Sequence, residues 1–218
     1  MKITIDNYLK NNCNVSIGYV LYKTNVVKTN NELWDYIDSV VINNIKNEFT
    51  LDNMKGQINI KTSRLVYKKL GKDPSRYRVS SEALIRRILQ GKGLYKINNV
   101  VDTNNLISIE TGYSCGSYDL KNIKGDIIFR IGEKGELYQG IGKDMINIEN
   151  LPVFSDEIGP YGSPTSDSIR AMVTDTSKEI LTTIISFNGK DNLEEALETA
   201  KKYLIQYTSA NIISSGII

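Results

Sequence analysis

The sequence predicts one α+β domain. Three observations carry this: apolar-alternating stretches at the N-terminus, separate segments with apolar residues at three- and four-residue spacing, and no repeat, low-complexity linker or charge block dividing the 218 residues. The N-terminal third, residues 1–71, reads as an α/β sub-region joined to the rest near Gly71 to Ser75.

Lys2 to Ile5 and Val15 to Leu21 alternate polar and apolar residues and read as strands of one sheet. Asn31 to Asn47 reads as a helix because Leu33, Trp34, Ile37, Val41 and Ile45 form one stripe, which makes Trp34 a core residue. A basic helix over Ile60 to Leu70 ends at Gly71, before the breaker GKDPS. Ser80 is expected to cap a helix over Ser81 to Gln90, with Leu84, Ile85, Ile88 and Leu89 inward and Arg86 outward. The stretch NNVVDTNNLISIETG from Asn98 is ambiguous by periodicity, and helix is favoured; Asp102 is expected to cap or brace the following turn. Asp126 to Ile131 and Leu137 to Ile141 read as strands joined by the turn GEKGE, with Arg130 and Glu136 as a cross-strand pair. Leu151 to Phe154 and Ile169 to Thr174 read as strands, Ile180 to Phe187 as a central strand, and Ile212 to Ile218 as one more. Asn192, with Glu195 three residues on, gives an N-cap signal for a last helix that buries Leu193, Leu197, Ala200, Leu204 and Tyr207.

Composition removes several chemistries. Histidine is absent, so no Ser-His or Cys-His nucleophile pair, imidazole base or His-ligated metal is available. Cys13 and Cys115 lie far apart without CxxC spacing and read as buried or incidental thiols. No apolar run approaches a membrane span and the N-terminus lacks a signal peptide's apolar core, so a cytoplasmic protein is expected, with no cofactor, metal or membrane partner. The formal net charge of +2 hides an asymmetry. Lys61 to Lys96 holds eleven basic residues against Asp73 and Glu82, while the remainder is net acidic. Such polarisation suits a polyanion approaching from one side, although no RNA-binding signature accompanies it and a solvated charged face is the alternative.

Gly159 to Ser168, GPYGSPTSDS, packs Pro160 and Pro164 with two glycines against Thr165, Ser166, Asp167 and Ser168. Proline fixes φ and extends the residue before it, so this reads as a stiff loop able to hold hydroxyls and a carboxylate in place. Further polar candidates are Asp102, Asn104, Asn105, Ser108 and Glu110, then Asp119, then Asp156. There is no P-loop, GxGxxG or nucleophile elbow.

The segments YRVSSEALIRRIL, INNVVDTNNLISIETG, GSYDLKNIKGDIIFRIGEKGE and SDEIGPYGSPTSDSIRAMVT, in that order, resemble the B3/4 domain. That domain is the editing module of the bacterial phenylalanyl-tRNA synthetase β subunit and occurs in stand-alone proteins. The resemblance covers roughly residues 74–189, and no synthetase core accompanies it, so a free-standing version over 1–218 is expected. It implies a β-sandwich of unusual topology flanked by helices, and a pocket that receives the aminoacyl end of tRNA and hydrolyses wrongly attached tyrosine.

Asn104, Asn105, Glu110 and Asp119 have counterparts in the module and, with Gly116, Tyr118 and Gly162, are expected to line the substrate pocket, while a deacylase would use Thr165, Ser166 and Asp167 to position a water. Arg76, Arg78, Arg86 and Arg87 would hold acceptor-stem phosphates, or form surface ion pairs. Tyr118 would stack on a ligand ring, or pack in the core. Two positions depart from the module: Gly116 stands where it has a histidine, and Thr165 where it has a glutamate. Two functions follow as alternatives, a trans-acting deacylase of mischarged aminoacyl-tRNA, or a non-catalytic binder of tRNA, an amino acid or its derivative.

Overall fold

The computed structural model describes residues 1–218. Two four-stranded sheets stack face to face. The outer sheet runs β1 (Ile3–Ile5), β4 (Ile127–Ile131), β7 (Pro152–Ser155) and β8 (Pro160–Gly162); the central sheet runs β10 (Asn211–Ile217), β2 (Ser16–Lys23), β9 (Glu179–Ser186) and β3 (Ser114–Asp119). Only β1 with β4 is parallel; the other pairs are antiparallel. A short ribbon, β5 (Leu137–Gln139) with β6 (Met145–Asn147), stands apart.

Side-chain alternation along β9 builds both cores. Leu181 and Ile185 point with Ile17 and Tyr118 toward Phe129, Val153, Phe154 and Tyr161 of the outer sheet, which fills the sandwich. Ile180 and Ile184 point the other way, with Val20, Tyr22 and Cys115, onto a helical layer. That layer contains α2 (Asn31–Tyr36), a π-helical turn (Ile37–Val41), α3 (Ile42–Glu48), α5 (Ser80–Leu89), α6 (Asn99–Thr111) and α7 (Leu193–Thr208). Helix α4 (Ile58–Lys69) flanks both cores, giving Ile60 to one and Val66 and Tyr67 to the other. The expected sandwich with flanking helices is therefore present.

Local chemistry sets most boundaries as expected. Asn98 Oδ1 accepts from Val101 N and starts α6, and Gly112 ends it at φ 72°. Asp102 accepts from Thr29 Oγ1 at 2.5 Å, Trp34 Nε1 at 3.1 Å and Ile97 N at 3.0 Å, so it braces the segment before α6 rather than the turn that follows, and locks it to α2. Trp34 is buried, and both cysteines are free and buried.

Further local expectations are corrected. Lys2 to Ile5 and Val15 to Leu21 do not share a sheet: β1 pairs with β4 in the outer sheet, while β2 lies between β10 and β9 in the central one. Ile169 to Thr174 is not a strand: Ile169–Ala171 is a 3-10 turn capped by Ser168, because Arg170 is drawn to Asp156 and Ile169 is left 45% exposed. Ser80 does not cap α5; its N–H donates to Pro164 O at 2.6 Å and its buried hydroxyl lacks a partner, while Val79 occupies the cap position. Asn192 makes no side-chain cap, because it takes a left-handed conformation at φ 57° that turns the chain into α7. The strands flanking GEKGE do not pair with each other; β4 joins the outer sheet and β5 pairs with β6. Arg130 and Glu136 do meet, in a two-pronged ion pair at 2.7 and 2.9 Å, but Glu136 sits in the turn and also accepts from Glu133 N.

Candidate functional site: the 159–168 loop and its aromatic floor

The loop is pinned at its start by an ion pair. Asp156 takes two bonds from the Arg170 guanidinium, at 2.9 and 3.0 Å, and accepts from the amides of Lys124, Ile158 and Gly159. Arg170 also donates to Gly159 O at 2.7 Å. Burial raises the Asp156 pKa, but these donors outweigh it and hold the carboxyl below its ordinary value. Gly159 has φ 140°, a conformation open to glycine, and Pro160 then begins β8.

The second half is a self-bonded turn. Ser163 Oγ accepts from Thr165 N and Ser166 N and donates to Ser166 O at 2.8 Å. Tyr138 Oη also donates to Ser166 O, and Tyr67 Oη lies 2.9 Å from Thr165 Oγ1. Ser166 Oγ lies 3.4 Å from Lys143 Nζ. Asp167 Oδ1 accepts from Tyr118 Oη at 2.9 Å and Ser163 N at 3.2 Å. The stiffness inferred from the prolines is thus reinforced by hydrogen bonds.

Under the loop lies a packed aromatic floor of Tyr118, Phe129, Phe154 and Tyr161, with Tyr118 and Tyr161 edge to face at 5.0 Å between centroids. The Tyr118 phenol fills the gap between Gly116 and Gly162. A Cβ on Gly116 would stand 2.7 Å from Tyr118 Cζ, and one on Gly162 would stand 2.6 Å from it. Tyr118 is fully buried, and Tyr161 Oη is buried without a partner.

Burial in this setting raises the Asp167 pKa to about 6, partly offset by bonds from Tyr118 and Ser163. A carboxyl raised in the folded state stabilises the fold fully below its unfolded pKa of about 4, and that contribution is lost as pH rises through about 6. The wild type is therefore expected to lose stability relative to Asp167→Asn between about pH 4 and pH 7, because Asn keeps an acceptor for Tyr118 and carries no charge. Urea unfolding of both proteins across that range checks this; parallel pH profiles would refute it.

The structure brings Gly116, Tyr118, Gly162, Thr165, Ser166 and Asp167 together on the sandwich side of the central sheet. The other expected pocket residues lie elsewhere. Asn104 on α6 accepts from Ser117 Oγ at 3.0 Å and donates to Cys115 O, in a buried chain continuing through Thr182 to Tyr22 on the helical face. Asn105, half-buried, follows it on α6. Asp119 caps the turn after β3 and accepts from Ser177 Oγ at 2.6 Å. Glu110, exposed at the far end of α6, accepts from the hydroxyls of Tyr36 and Tyr203 and lines a separate cleft of about 510 Å³.

The basic residues divide as well. Arg78 leans toward Glu82 at 3.9 Å, beside Arg64, which binds Glu82 at 2.8 Å. Arg76 is exposed and Arg86 half-buried. Arg87 stacks over the Tyr95 ring at 3.9 Å. Sequence reasoning missed Tyr67, Tyr95 and Tyr138, for which the only signal was a count of thirteen tyrosines, and did not single out Ser163 within the loop.

A two-sheet sandwich with one helical layer and a hydrogen-bonded polar loop over a packed aromatic floor defines the class: an α+β sandwich domain. The family model of the B3/4 domain matches residues 62–209, and the chain belongs to that family. It is 28% identical over 110 residues to the phenylalanine–tRNA ligase β subunit of Aquifex aeolicus, covering 50% of this chain and 14% of the relative. With the β subunit of Symbiobacterium thermophilum it is 29% identical over 112 residues, covering 50% and 13%. The chain thus matches a small fraction of the length of these relatives. An N-terminal fragment of the phenylalanyl-tRNA synthetase β subunit from Pyrococcus horikoshii superposes with a TM-score of 0.50 at 14% identity, over 97% of this chain and 50% of that one, a likeness of fold.

Proposed function

We propose that this B3/4 domain binds tRNA at its acceptor end and does so chiefly as a binding module. The observation that carries the reading is the Tyr118 phenol, which takes up the space beside Gly116 and Gly162 and engages Asp167, the one carboxylate of the 159–168 loop. No imidazole exists in the chain to take its place as a base. The family relationship to tRNA ligase β subunits and the basic stretch from Lys61 to Lys96 support the choice of partner.

A second reading, trans-acting hydrolysis of mischarged aminoacyl-tRNA, is favoured by one feature: Asp167, with its pKa raised to about 6, lies beside hydroxyls of Ser166 and Thr165 on a rigid loop. In this reading Asp167 accepts a proton from water while the substrate's own ribose hydroxyl assists.

Filter binding of tRNA at two salt concentrations, paired with a deacylation assay over a panel of mischarged tRNAs, separates the two. The first reading expects salt-sensitive binding with ester loss at the spontaneous rate. Hydrolysis above that rate, abolished by Asp167→Asn, would establish the second. Absence of tRNA binding at low salt would refute the first.

A further inference from the structure

We infer that the α5–α6 connection is a stacking platform for single-stranded RNA, centred on Tyr95. The segment GKGLYKIN leaves α5 through Gly91 and Gly93, both at positive φ, which turn the chain outward at the end of the helix. It presents Tyr95, 63% exposed, and Ile97, 58% exposed. Neither side chain belongs to a core cluster, and the two stand two residues apart on the same segment.

The ring is also preorganised. Arg87 on α5 lays its guanidinium 3.9 Å from the Tyr95 centroid, and its Nη2 donates to Lys92 O at 3.3 Å, which fixes the pair to the turn. Arg87 Nε is buried without a partner. Lys96 folds over the Trp34 ring at 4.5 Å, and Lys92 is exposed. None of Arg86, Arg87, Lys92 and Lys96 takes part in an ion pair. Asp102, the acid that touches the segment, is buried and occupied by three donors.

An accessible aromatic ring backed by a guanidinium, on a segment that also carries Lys92 and Lys96 outside any ion pair, matches the chemistry of an unstacked nucleobase carrying phosphates on either side. A duplex does not offer that base, because its bases are already stacked and paired, so the partner is a single strand, which the tRNA reading makes RNA. The inference draws on the tRNA reading only for the source of such RNA.

The test is fluorescence anisotropy with a labelled single strand of about twelve nucleotides, and with the same strand annealed to its complement. The wild type is expected to prefer the single strand. Tyr95→Ala is expected to weaken that binding about ten-fold or more, while Tyr95→Phe, which keeps the ring, retains it. Tyr95 is exposed, so both variants should fold, and unchanged Trp34 emission confirms this. Wild-type affinity in Tyr95→Ala with tRNA still bound overturns this inference alone. No RNA binding by the wild type overturns it together with the tRNA reading. Tyr95-dependent binding to phosphatidylserine vesicles without RNA binding would overturn it in favour of a membrane surface.

Discussion

Arg64→Ala is expected to destabilise the fold by about 3 kcal/mol, more than removal of any exposed cation in the same basic stretch. Glu82 is 1% exposed, and Arg64 Nη1 reaches both of its oxygens, at 2.8 and 3.0 Å, while also donating to Pro74 O. Without that guanidinium the carboxylate stays buried on α5 with only Arg78 near, at 3.9 Å. A buried charge stripped of its partner costs far more than the pair contributes, so the double variant Arg64→Met with Glu82→Leu should recover most of the loss. Urea unfolding followed by the single tryptophan, Trp34, measures both; equal stability of Arg64→Ala and the wild type would refute the expectation. The basic stretch therefore contains cations of two kinds: Arg64 ties α4 to α5 through Glu82, with Arg78 beside the same carboxylate, whereas Lys92, Lys96 and Arg87 remain available to a polyanion.

Periodicity made the helical stripes and the central strand legible, because burial on one face or on two leaves a one-dimensional trace. The helix over Asn99–Thr111 is the instructive case: its polar residues blur the stripe because Asp102, Asn104 and Ser108 are themselves buried and bonded. Local stops were less legible. Asn192 and Ser80 have the right side chains for caps, but backbone geometry and the contact with Pro164 O dictate otherwise. Most of the site was invisible for a topological reason. Asn104 and Tyr118 come from adjoining motifs, yet the pleat of β3 sends Ser117 to the helical face, where it meets Asn104, and Tyr118 to the sandwich. Nothing in the order of the motifs distinguishes those two sides.

Gly116→His is expected to destabilise by about 3 kcal/mol or more, because the place is already taken. A Cβ there falls 2.7 Å from Tyr118 Cζ, and the ring cannot yield: Asp167 holds its hydroxyl, Phe154 and Tyr161 flank it at 5.8 and 5.0 Å between centroids, and no part of it reaches solvent. Tyr118→Ala alone should cost about 3–5 kcal/mol as a cavity and leave Asp167 short of a donor. The two changes compete for one volume, so the double variant is expected to be destabilised by clearly less than the sum, with a coupling of about 1–3 kcal/mol. Additive losses in urea unfolding would mean that position 116 and the phenol do not share that space. Coupling, by contrast, would identify Tyr118 as the occupant that an imidazole at position 116 must displace. The double variant would then be the protein in which to look for ester hydrolysis that the native chain, lacking any histidine, cannot support through an imidazole base.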